Sequence, residues 1–142
     1  MNRKQFALSL TLLAAAATTQ AQDLKTKDVP ANVKEALAKK YPEVTKVSWE
    51  KEKGNYEANW GGKSGEDNSA QFTPAGVFVE LVQAIKISDL PAGVDSYVNN
   101  HYKTKIKEAG KVTDAAGKTM YEAETKAGDL IFDEKGNFIK KD

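Results

Sequence analysis

The sequence predicts an α+β domain of two tandem helix-plus-four-antiparallel-strand repeats, arranged as two layers with helices on one face of a sheet. Three observations predict it. A helix-forming stretch is written twice, DVPANVKEALAKKY at Asp28–Tyr41 and DLPAGVDSYVNNHY at Asp89–Tyr102, with Asp, Pro, Ala, Val and Tyr at matching places. The strands downstream echo each other too, Tyr56-Glu57-Ala58 against Tyr121-Glu122-Ala123 and Phe72…Gly76 against Phe132…Gly136. Finally, glycine turns recur at Gly54, Gly76, Gly117 and Gly136, each after three linking residues. A type I turn closed by a left-handed glycine joins antiparallel strands in this way.

Residues 1–21 read as a signal peptide. Arg3 and Lys4 precede an apolar run from Phe6 to Ala17, and Thr19-Gln20-Ala21 supplies a small-x-small cleavage site. A dozen apolar residues fall short of the roughly 20 needed to span a bilayer. The chain is therefore expected in the periplasm or outside the cell, with no membrane attachment after cleavage. Losing Arg3 and Lys4 with the leader takes the formal charge from +1, set by 21 basic and 20 acidic residues, to −1. Mixed signs near neutrality argue against a nucleic-acid partner, which calls for a basic stripe. With no cysteine, burial alone must stabilise an exported fold.

The first repeat occupies residues 22–87. Its opening, Gln22–Lys27, is polar and expected to fray. Val29, Val33, Ala36, Leu37 and Tyr41 then form one apolar helical stripe. Asp28 is expected to cap this helix, Pro30 to sit in its first turn and Pro42 to stop it. Strands follow at 44–52, 56–60, 69–73 and 77–87, and the polar loop Gly61–Asn68 separates the second from the third. The second repeat, residues 88–142, places Leu90, Val94, Tyr97, Val98 and Tyr102 on its helix, with strands at 104–113, 118–125, 129–133 and 137–140. Tyr102 to Tyr121 is longer than Tyr41 to Tyr56, which calls for longer strands or a bulge in that hairpin.

The Leu/Val-Pro helix start, the tyrosine closing each helix, the Tyr-Glu strand and the Phe-x-x-x-Gly hairpin resemble the PepSY-like, beta-lactamase-inhibitor-like family of exported bacterial proteins, over about Asp28–Lys140. The resemblance implies a helix-on-sheet fold similar to beta-lactamase inhibitor protein and a binding or inhibitory role. It supplies no catalytic residues.

His101 is the single histidine, beside Asn100 and Tyr102 on the second helix. Zinc there would need carboxylates for every other ligand, and a catalytic triad would have to be built on this one residue. A histidine near the negative end of a helix dipole explains it without chemistry. Asp114…Gly117 and Asp133-Glu134…Gly136 lack the alternating oxygens of a calcium loop and read as turns. Glu57, Glu122, Glu80 and Glu124 are expected on the solvated side of their strands. No metal, cofactor or catalytic residue is assigned.

The candidate binding residues are Trp49, Tyr56 and Trp60 of the first hairpin, with Phe78. They are expected to form an aromatic platform on the open sheet face, tryptophan and tyrosine being favoured interface anchors. The expected function is a non-catalytic exported module that docks a protein or peptide there, including inhibition of a secreted or periplasmic enzyme. A small-ligand carrier or sensor of the cell envelope, with a pocket between helix and sheet, is the alternative.

Overall fold

A computed structural model of the chain describes residues 21–142. The leader expected at 1–21 thus lies outside the described residues except for Ala21. No helix among the described residues is long and apolar enough to cross a membrane. Contacts divide the chain into two compact units, the first ending at Val79 and the second running from Glu80 to Asp142.

The first unit contains β1 (Gln22–Leu24), α1 (Ala31–Lys40), β2 (Ser48–Glu52), β3 (Asn55–Trp60), β4 (Asn68–Phe72) and the start of β5 (Phe78–Ile85). Strands β1 to β4 pair antiparallel in chain order, with Trp49 opposite Ala58, Ala58 opposite Ala70 and Tyr56 opposite Phe72. Val33 and Leu37 bury the stripe of α1, which lies against β4. Phe72 is fully buried, edge-on to Phe78 with ring centroids 5.8 Å apart.

Three local expectations give way here. Gln22–Leu24 is an edge strand rather than a frayed start, because β2 offers it an unpaired edge in register. Asp28 does not cap α1: it closes a 3₁₀ turn, Thr26–Asp28, while Pro30 is the N-cap and no side chain bonds the helix start. The first hairpin is a two-residue turn, since Glu52 pairs with Asn55 and both Lys53 (φ 48°) and Gly54 (φ 84°) are left-handed. That is the type I′ form, whose twist matches the strands it joins.

The second unit holds the rest of β5, α2 (Val94–Tyr102), β6 (Ile106–Asp114), β7 (Thr119–Thr125), β8 (Gly128–Asp133) and β9 (Phe138–Lys141), again antiparallel in chain order. Gly93 (φ 90°) begins α2 and left-handed Lys103 ends it, in place of a proline stop. The lengthened first hairpin carries its bulge between Ile106 and Glu108. Val94, Val98, Ile106, Ala123, Leu130 and Phe132 form the core under the helix, bordered by Leu90, Tyr97, Tyr102 and Phe138.

In each unit the last glycine turn packs on the start of the helix. A Cβ on Gly76 (φ +79°) would lie 2.9 Å from the Asn32 carbonyl oxygen, and one on Gly136 (φ +84°) 2.7 Å from that of Ala92. Asn32 Nδ2 also donates to the Pro74 carbonyl at 2.9 Å. Gly117 has the same sign of φ, +81°, but open space around it. Gly117→Ala should therefore cost only left-handed backbone strain, about 1 kcal/mol, and Gly136→Ala about 1–3 kcal/mol more from collision with backbone. Urea midpoints decide it; equal losses would remove the turn-on-helix contact as a stabilising feature.

Candidate functional site

Period-2 alternation divides the strands of the first unit into two faces. Trp49, Tyr56, Ala58, Trp60, Ala70 and Phe72 lie on the side of α1. Trp60 meets Tyr41 at the end of α1, with centroids 5.1 Å apart, and Lys40 Nζ stands 4.1 Å from the Phe78 ring centroid. Lys51 Nζ is 5.3 Å from the Tyr56 ring. The four aromatic candidates are thus on the helix side, not on the open face where they were expected. Alternation puts them together but cannot say which face the helix covers. Trp49 is buried at 2 % exposure, while Tyr56, Trp60 and Phe78 are half-buried with accessible edges.

The opposite face is polar. Asp23, Glu50, Glu57 and Gln71 stand in one cross-strand row over β1 to β4, and Glu52, Asn59 and Ser69 flank it. Asp23, on the edge strand, is exposed; Glu50 and Glu57 are 7 % and 0 % exposed. The solvated position expected for Glu57 is therefore wrong: the strand is buried on both faces. Both oxygens of Glu57, Oε2 of Glu50 and Oδ1 of Asn59 are buried without a hydrogen bond. Burial pushes Glu57 up to about 8; the polar side chains of Ser69 and Asn59, which favour the ionised form, oppose the rise, and Glu52 and Glu50 add repulsion. Glu50 rises to about 7, first by burial and then by Asp23, Glu52 and Glu66.

Glu122 takes the Glu57 place in the second unit and is likewise buried, again against expectation, as is Glu80. Burial raises it well above the usual carboxylate range, and Asp129, Glu80, Asp142 and Glu124 reinforce the shift. Lys140 lies nearby on β9, opposite Ile131, and bonds Asp142 Oδ1 at 2.9 Å.

The remaining polar candidates have local duties. His101 Nδ1 is 3.0 Å from the Tyr97 carbonyl oxygen and its ring stacks on Tyr97 at 4.0 Å, as befits an exposed helix-end residue. Asp114 Oδ1 accepts from the Ala116 and Lys118 amides at 2.9 and 2.8 Å, and Asp133 Oδ1 accepts from those of Lys135 and Asn137 at 2.9 and 2.8 Å. The Asn137 side chain and amide are the main causes holding Asp133 below its ordinary pKa. These acids are turn formers. A cleft of about 450 Å³ lies between the two turns, lined by Lys118, Thr119, Glu134 and Lys135 among others.

The beta-lactamase-inhibitor-like, PepSY-like family model matches residues 16–62 and 62–140, nearly the whole chain. The chain belongs to this family. Solved structures with the same fold include a "putative periplasmic" protein of Bacteroides eggerthii, at 20% identity and TM-score 0.64 over 80% of this chain and 88% of that one. A DUF2874 family protein of Bacteroides uniformis gives 20% and 0.63 over 78% and 86%. A BLIP-like protein of Bacteroides fragilis gives 20% and 0.58 over 80% and 84%. No curated protein matches. At this identity the likeness shows the fold, an α+β arrangement of two helices and antiparallel strands. The buried carboxylate row carried no distinct sequence signal, because Glu50 and Glu57 sit in alternating patterns that read as solvated.

Proposed function

We propose that this PepSY-like protein is a non-catalytic exported binding module that docks a protein or peptide through an aromatic edge of its first unit. The observation that carries the reading is the half-exposed set of Tyr56, Trp60 and Phe78, with Lys51 and Lys40 over two of the rings. Such rings offer large apolar area at low entropic cost, and adjoining lysines hold polar neighbours for a partner's rim. Trp49, buried beneath, sets the height of this edge by packing opposite Ala58. A periplasmic or extracellular site is supported by the leader sequence and by the description of the B. eggerthii neighbour. Inhibition of a secreted or periplasmic enzyme is supported by the family's description alone. The tandem-repeat reading is supported by Phe72 and Phe132, buried at matching places, and by the glycine turns that meet each helix start.

The test expresses the full sequence, immobilises the exported product and identifies what it retains from envelope and secreted fractions. Trp60→Ala and Phe78→Ala should each weaken a specific retained partner at least tenfold, the size of an ordinary interface anchor. Undiminished retention by both variants would reject the aromatic edge.

A further inference from the structure

We infer that the polar face of the first unit is a recognition site for a basic side chain, an arginine or lysine of a polypeptide partner, seated between Glu50 and Glu57. Four buried atoms of this face have no bond, Glu57 Oε1 and Oε2, Glu50 Oε2 and Asn59 Oδ1, and all four are acceptors once the two carboxyls are ionised. What the ionised face lacks is a cationic donor able to serve several acceptors at once. Guanidinium carries five N–H groups in a planar fork and ammonium three, and either also neutralises carboxylates.

Charge points the same way. Asp23, Glu50 and Glu57 face one another in register across three strands. Like charges directly opposite destabilise a sheet. Lys51, next in sequence to Glu50, cannot relieve them because it projects to the other face beside Tyr56. Titratable groups facing Glu57 and Glu50 are Glu52 from β2, Asp23 from β1 and Glu66 from the loop between β3 and β4, all acidic. A metal ion fits less well. Carboxylates spaced one strand apart form a line rather than a cage, and no described group of three or more is arranged to hold one.

Access follows the row. Asp23 is exposed on a strand of three residues at the sheet edge, and exposure falls inward through Glu50 to Glu57. Adjacent strands lie about 4.8 Å apart, so a long flexible side chain coming over β1 meets Glu50 first and reaches Glu57 only as the groups covering that carboxyl move aside. Glu122 does not form a second such site, because Lys140 already supplies a base near its acidic neighbours.

The experiment titrates the exported chain at pH 8 by calorimetry with short peptides holding one central arginine, and with the same peptides holding citrulline, its neutral isostere. Arginine peptides should bind saturably and at least tenfold more tightly than citrulline ones. Affinity should rise between pH 6 and 8.5 as the carboxylates give up protons. Glu57→Gln and Glu50→Gln should each lower it at least tenfold, while Glu35→Gln on the exposed side of α1 should leave it unchanged. Equal binding of citrulline peptides, wild-type affinity in Glu57→Gln, or no saturation at millimolar peptide would each overturn the inference. Acetyl-arginine amide matching the whole peptide would make the occupant a free cation and overturn the polypeptide assignment. Because Trp60 and Phe78 lie on the other face, failure here with a partner still held by them leaves the aromatic edge standing.

Discussion

Glu57→Gln should stabilise the protein at pH 8 and flatten its dependence on pH. In the unfolded chain this carboxyl titrates near 4.5, and in the fold near 8. The folded state therefore keeps a proton that the unfolded state has already lost. The stabilisation from that proton is complete below pH 4.5, erodes as pH rises, and is gone once the folded group ionises near 8. Every tenfold difference in proton affinity between the two states is worth about 1.4 kcal/mol, so a fully buried group can account for on the order of 5 kcal/mol over this window. Glu122 and Glu50 act in the same direction, so the wild type should show its highest stability on the acid side of neutrality. Glutamine keeps the shape, never ionises, and its amide can donate to Asn59 Oδ1, now without a partner. Urea unfolding from pH 5 to 9 should give a shallower slope for the variant and a gain of about 2–4 kcal/mol at the alkaline end. Parallel profiles would mean that Glu57 is hydrated and titrates normally.

Phe132→Ala should be the most damaging single change in the second unit. The ring is fully buried, edge-on to Tyr97 at 5.6 Å and to Phe138 at 5.8 Å, within the cluster of Val94, Val98 and Leu130. Deleting it leaves a cavity that β-structure on one side and a helix on the other cannot collapse to fill. Phenylalanine truncations of this kind cost about 3–5 kcal/mol, a large share of the 5–15 kcal/mol that holds most domains. Loss of near-ultraviolet dichroism from the Tyr97 and Tyr102 surroundings should accompany it. A loss below about 1 kcal/mol would show that the tyrosine and Phe138 rings repack over the gap.

How far such features could be read in advance depends on which physical signal each one left. The stripe of Val29, Val33 and Leu37 is visible because a helix repeats every 3.6 residues and only one face is covered. Gly76, Gly117 and Gly136 mark their turns because few other residues adopt positive φ. The Asp28 cap failed because the same residue satisfies a preceding 3₁₀ turn, an alternative of similar local energy. Gln22–Leu24 left no pattern, being polar and only three residues long, and its pairing is decided by a distant edge. The turn at Lys53-Gly54 is two residues rather than the predicted three-residue link because Lys53 adopts φ 48°, unusual for its type. Most instructive is Tyr56-Glu57-Ala58-Asn59-Trp60, where alternation sorts the faces correctly. It does not reveal that both are covered, so a glutamate at full burial looked like a solvent-facing one.

The last strand, β9, is an outer strand of its unit, and it ends in Lys140 and Lys141 with Ile139 partly bare just before them. An unpaired edge of backbone amides and carbonyls is a template on which another chain can add, and growth by such addition has no natural stop. The exposed Lys141 there makes each further copy bring like charge against like. The unit thus carries its own brake on fibre formation in the crowded space where it is expected to work.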